Sequence, residues 1–276
     1  MGFAPVLTPD DFRILGQCPL HYHFRQQQPV AGVSQEDREI DHLLRVTLRA
    51  LHAQGGPGRM KLPAALDLLA AQARSAGGLA ESVLMVARQA LAAYHRRLRR
   101  EWPDMIASNE TLQLPLTLGR KTVRLSAEVD RLDRAADGGV VVTELKTGPG
   151  PLPDPETLTT DLGLTALHAL TAASYPAKRP VRVRQLWLRT DDVLEVELSE
   201  AQYRRNISAL RKSIETLLAG QFLARPGAYC DNCYFKFKGC PVYAHETPPP
   251  APEPSSKPKL STRIWDFIDD EPDEIE

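Results

Sequence analysis

Two groups of residues in this chain have the types and spacing to do chemistry. The first is a set of four cysteines, Cys18, Cys230, Cys233 and Cys240. The last three follow a C-x2-C-x6-C spacing, with Cys18 as a distant partner. Two thiolates separated by two residues can hold one metal or cluster, because a tight turn points both sulfurs inward. Four thiolates satisfy either a tetrahedral zinc or a 4Fe-4S cluster. Disulfides are the weaker alternative in a chain that reads as cytosolic. A site that draws Cys18 to the other three would close a loop of roughly two hundred residues. Such a cross-link restricts the unfolded chain by about 5 kcal/mol.

The second group is Ser126-Ala-Glu-Val-Asp130-Arg-Leu-Asp133-Arg, followed by Thr143-Glu144-Leu145-Lys146-Thr-Gly. Residues i and i+2 of a strand point to the same side, so the Glu144 carboxylate and the Lys146 ammonium should project together. Asp130 ends the neighbouring strand and can reach them. Two carboxylates and a lysine suit a hard divalent ion, Mg²⁺ or Mn²⁺. Such an ion would hold a phosphate and activate water, with the lysine stabilising developing charge. Taken alone, E-x-K also describes an ordinary surface ion pair.

The elements that must position these groups show in the hydrophobic pattern. Thr8-Pro9-Asp10-Asp11 caps a short helix over Leu7–Phe24. Helical periodicity continues from Glu36 to Ala53, Pro63 to Ser75 and Leu79 to Trp102. The period then changes to alternation at Leu112, Leu114 and Leu116, and again at Val123, Leu125 and Ala127. Asp137-Gly138-Gly139 makes a turn into the β-branched run Val140-Val141-Val142. A helix over Leu158–Ala173, strands over Val181–Leu188 and Val193–Leu198, and a helix over Ser199–Phe222 complete the order. This predicts an α/β fold, a mixed sheet flanked by helices, with a helical N-terminal part.

Charge divides the chain. Residues 1–247 carry 31 bases and 27 acids, whereas Pro248–Glu276 carries three bases and eight acids. A mildly basic body with an acidic tail is compatible with a polyanion partner. The organisation expected is one domain over 1–247, then a Pro-rich linker and an acidic, disordered tail over 248–276. The cluster Ile264, Trp265, Phe267 and Ile268 could give that tail a protein partner. No apolar run is long enough for a transmembrane helix, so no membrane role is expected. With no secretory signal in the N-terminal residues, a cytoplasmic location is expected. Basic residues interleave with aromatics at Tyr234-Phe-Lys-Phe-Lys238, where unpaired bases could stack.

Together the two groups make the chain resemble the PD-(D/E)XK nuclease superfamily, in particular its RecB-like exonuclease branch with an iron–sulfur cluster. Members of that branch include CRISPR-associated RecB-like exonucleases and AddB-type nuclease domains. The likeness spans roughly residues 7 to 245 in the family's order. It rests on Cys18-Pro19, a helix histidine at His42 in Glu39-Ile-Asp-His-Leu-Leu, Asp130-Arg131, Glu144-Leu-Lys146-Thr-Gly and the three late cysteines. His52 is a rival for the histidine. The resemblance implies a restriction-endonuclease-like core with a 4Fe-4S clasp at Cys18, Cys230, Cys233 and Cys240. It implies that His42, Asp130 and Glu144 ligate Mg²⁺ or Mn²⁺, with the Leu145 carbonyl as a further ligand. It also implies hydrolysis of DNA, on single strands or ends, in repair, recombination or defence. One departure stands out. The helix after the lysine commonly carries Gln-x-x-x-Tyr in this family, and Leu164 and His168 stand there. The alternative is therefore a catalytically impaired DNA-binding or scaffolding protein of the same fold.

Overall fold

The computed structural model describes residues 5–28, 34–101, 104–148 and 152–245. The expected linker and tail over 248–276 lie outside these residues. Among the described residues, six strands form one mixed sheet. They are β1 (Val6–Leu7), β2 (Asp104–Leu118), β3 (Lys121–Arg134), β4 (Val140–Lys146), β5 (Val181–Trp187) and β6 (Asp192–Val196). The order is β1-β3-β4-β5-β6, with β2 along the other edge of β3. The β2–β3 and β3–β4 pairs are antiparallel, β4–β5 is parallel and β5–β6 antiparallel.

Helices cover both faces. On one side lie α1 (Pro9–Gln17), α7 (Leu162–Ser174) and α8 (Glu200–Leu218). Their apolar residues, such as Phe12, Leu167 and Leu210, share a core with Leu125, Val142 and Val183 of the sheet. On the other side lie α3 (Gln35–Ala53), α4 (Leu62–Ser75) and α5 (Glu81–Glu101). Leu44, Leu69 and Leu91 of these helices share a second core with Leu145 and Leu186. β4 and β5 therefore feed side chains into both cores, Val142 and Val183 into the first and Leu145 and Leu186 into the second. No helix among the described residues is long and apolar enough to cross a membrane.

The single helix expected over Leu7–Phe24 is two. Helix α1 ends and α2 (Pro19–Gln27) begins at Cys18, which is extended at φ −153°. Proline cannot donate a helical hydrogen bond and disfavours helical backbone in the residue before it. Cys18 is thereby set at an elbow. The helix expected over Leu158–Ala173 is likewise divided into α6 (Pro155–Thr159) and α7. Asp161 caps α7 by accepting from Leu164 N at 2.9 Å.

Candidate active site and cysteine recess

The candidate site is built at the end of β4. Arg131 of β3 pairs with Thr143 of β4, so Asp130 and Glu144 face each other one step beyond the last registered pair. Asp130 Oδ2 accepts from the Leu145 backbone N–H at 2.8 Å. Glu144 Oε1 lies 2.6 Å from Lys146 Nζ, the pair expected of strand residues two apart. The structure thus brings Asp130, Glu144, Leu145 and Lys146 together.

The two carboxylates are held from opposite layers. Asp130 Oδ1 accepts from Arg45 of α3 at 3.0 Å. Arg45 Nε also reaches Asp41 Oδ1 at 2.9 Å, and the same Asp41 oxygen accepts from Thr147 Oγ1 at 2.5 Å. Glu144 Oε2 accepts from Gln185 of β5 at 3.0 Å and from Arg13 of α1 at 3.5 Å. Arg13 is fixed in turn by Asp161, the α7 cap, at 2.9 Å. Burial raises the pKa of Asp130, against the pull of the Leu145 N–H and the Arg45 charge. Burial also opposes ionisation of Glu144, but Lys146 and Arg13 outweigh it and hold that carboxyl below its ordinary value. Oxygen donors of this kind fit a hard divalent ion. Asp130, Glu144 and the Leu145 carbonyl would hold it.

His42 is not part of this group. It is exposed and borders a separate cavity with Gln35, Glu39, Gln72 and Ser75. One residue of helix turns a side chain by about 100°. Asp41, its neighbour, is therefore the residue tied to the end of β4. His52 is buried within 2.5 Å of the Tyr94 hydroxyl. Burial and the Arg131 charge lower its pKa to about 4. Leu164 and His168 are both buried in α7, and Arg13 and Gln185 supply the donors to Glu144 instead. Sequence reasoning missed Arg13, Asp41, Arg45 and Gln185. The signal for Gln185 was a polar residue directly after the alternation Val181-Arg-Val-Arg184, at a position that is buried.

The four cysteines border one recess, shared with His21, Arg225, Tyr229 and Phe235. Cys18 Sγ lies 3.5 Å from Arg225 N, and Cys233 Sγ lies 3.9 Å from His21 Nδ1. Burial raises the Cys233 thiol pKa, and the charges of Cys230, Cys18 and Cys240 push it the same way. All four are free thiols. Their softness fits a thiophilic metal or cluster. Among the described residues, no three His, Cys, Asp or Glu side chains are gathered closely enough to close on a single metal ion. The aromatics of the expected stacking loop are partly engaged. Phe235 is buried against His21 and Phe24, and Lys238 lies over the Tyr234 ring.

Two solved structures are similar to this chain at low identity. One is the protein SSO0001, at 13% identity and TM-score 0.43, covering 88% of this chain and 89% of its own. The other is a candidate exonuclease from Eubacterium rectale, at 9% identity and TM-score 0.49, covering 83% and 86%. No curated protein matches the sequence. The model of the PD-(D/E)XK nuclease superfamily matches residues 6–238. That match runs from the first strand into the cysteine loop and spans the whole sheet that presents Asp130, Glu144 and Lys146. By it the chain belongs to the PD-(D/E)XK nuclease superfamily.

Proposed function

We propose that this chain is a Mg²⁺- or Mn²⁺-dependent deoxyribonuclease of the RecB-like exonuclease branch, acting on single strands or DNA ends. The observation that carries the reading is the cluster at the end of β4, where Asp130 meets the Leu145 N–H and Lys146 meets Glu144. When bound, a divalent ion supplies Lewis acidity toward a phosphate oxygen and lowers the pKa of water. The protein's own part is positional and electrostatic. Asp130 and Glu144 provide the negative charge, Gln185 and Arg13 orient Glu144, and Lys146 places a cation where charge develops.

A 4Fe-4S cluster at Cys18, Cys230, Cys233 and Cys240 belongs to the same proposal. The support for it is that the four thiols border a common recess. The cluster would supply a cross-link between the two halves of the chain, and no catalytic step depends on it.

Anaerobically purified protein tests both parts. Absorbance near about 400 nm with iron and sulfide in equal amounts is expected for the cluster. Mn²⁺-dependent cleavage of single-stranded or end-bearing DNA is expected, with Glu144→Ala and Lys146→Ala each slowing it by about 100-fold or more. Wild-type protein that carries its cluster and binds DNA without cleaving it would favour the scaffolding alternative.

A further inference from the structure

Both oxygens of Asp130 are engaged, Oδ2 by the Leu145 N–H and Oδ1 by the Arg45 guanidinium. A divalent ion at Asp130 competes with that guanidinium, because two cations at one carboxylate oxygen repel each other. Arg45 has an alternative position. Its side chain is 45% exposed, and it stays tethered through Nε to Asp41. It borders a pocket together with Arg49, Asn109, His52, Glu128 and Asp130. Arg49 stands one helical turn beyond Arg45, on the same side of α3. It reaches Glu128 Oε1 at 2.5 Å. Asn109 stands on β2 between the Ser108–Arg131 and Glu110–Val129 pairs, opposite Asp130. Its φ of 52° is a conformation that a strand residue rarely adopts.

The cavity thus carries two guanidinium forks and an amide. Of its two carboxylates, one is Asp130, whose charge a bound ion would neutralise. We propose that this cavity is a phosphate subsite for the nucleic-acid strand, beside the reacting phosphodiester. Arg45 passes from Asp130 to that phosphate when a divalent ion takes Asp130. This inference rests on the metal-dependent reading above and adds a substrate contact to it. Without a strand, the ion must displace Arg45 into water. With a strand bound, the displaced fork gains a partner of matching geometry. Ion and phosphate therefore bind with positive coupling, and the coupling is reciprocal. Arg49 contributes with or without the ion, since it bonds Glu128 rather than Asp130.

The test is a calorimetric titration of the full chain with Mn²⁺, with and without a single-stranded phosphorothioate oligonucleotide that resists cleavage. Wild-type protein is expected to bind Mn²⁺ about fivefold or more tightly when the oligonucleotide is present. Arg45→Met should bind Mn²⁺ more tightly than wild type in the absence of oligonucleotide, and lose the enhancement. Arg49→Met should keep the wild-type Mn²⁺ affinity and weaken oligonucleotide binding, lowering the salt slope by about 0.7. Oligonucleotides with a 5′-phosphate and a 5′-hydroxyl distinguish the source. Equal enhancement assigns the subsite to an internal phosphate, and enhancement confined to the first assigns it to a terminal one. Unchanged Mn²⁺ affinity in Arg45→Met, or no enhancement in a wild-type protein that cleaves DNA, would overturn the proposal. Absence of any Mn²⁺-dependent cleavage would sink the nuclease reading instead, while the Arg45→Met titration still reports competition at Asp130. Should Arg45→Met fail to fold, Arg45→Lys keeps the charge without the fork. A reduced enhancement in that variant supports the proposal, and a wild-type enhancement contradicts it.

Discussion

Glu144 shows how much of a site lies outside its motif. Lys146 is its partner by strand geometry alone, and that pair was legible in E-x-K. Gln185 and Arg13 were not, because their approach depends on the β4–β5 register and on how α1 lies against the sheet. Gln185 is buried, and its Oε1 has no hydrogen-bond partner among the described residues. An unpaired buried acceptor costs about 1–3 kcal/mol, so its retention points to work done at Glu144 by the amide nitrogen. Gln185→Leu should slow cleavage by about tenfold, as loss of a group orienting a metal ligand does. The same variant should resist urea as well as wild type or better, which equilibrium unfolding would show. His168 makes a pH prediction. Burial, helped by the Arg179 charge, lowers its pKa from 6.5 to about 4. The unfolded chain therefore takes up this proton at higher pH than the folded one. The stability it carries is complete above pH 6.5 and is lost as pH falls toward 4. Urea midpoints should decline over that window, by an amount on the order of a few kcal/mol in total. His168→Phe, which keeps a ring against Tyr203, should make the decline shallower and leave the share that buried His52 contributes over the same window.

Elements decide which residues meet. Helix period marked α3 correctly but could not tell which of two adjacent residues faces β4, and the resemblance pointed to His42 where the structure ties in Asp41. A rotation of one residue is invisible in a pattern that sums over turns. Proline chemistry at Cys18-Pro19 was present in the sequence, yet a helix run through it missed the break between α1 and α2. The contact of α1 with α7 is the element-scale feature on which Arg13 depends. A Cβ at Gly163 would lie 2.6 Å from the Pro9 carbonyl oxygen, so only glycine lets the two helix starts approach this closely. Gly163→Ala should cost about 1–3 kcal/mol of stability, as overpacking does. It should also slow cleavage by moving Arg13 away from Glu144. A variant with unchanged urea midpoint and unchanged rate would show that the close approach is dispensable.

At the largest scale, residues from α2 and from the loops after α8 share the cysteine recess, while the catalytic candidates sit at the end of a central strand. The cysteine spacing made the recess legible, because thiols that cluster in sequence usually cluster for a ligand. What carried Cys18 to them was not legible. It is set by the elbow at Pro19 and by Arg225, whose side chain donates to the Gly16 carbonyl at 2.5 Å. Cys18→Ser should release iron and lower stability by up to about 5 kcal/mol, the loop-closure scale, measured against holoprotein in urea. One divalent ion is expected to bind where β3 and β4 present Asp130 and Glu144. Anomalous diffraction from crystals soaked in Mn²⁺ tests it directly. A manganese peak within coordination distance of both carboxylates and the Leu145 carbonyl is the predicted result. A peak bound elsewhere, or none in a protein that cleaves DNA with Mn²⁺, would contradict it.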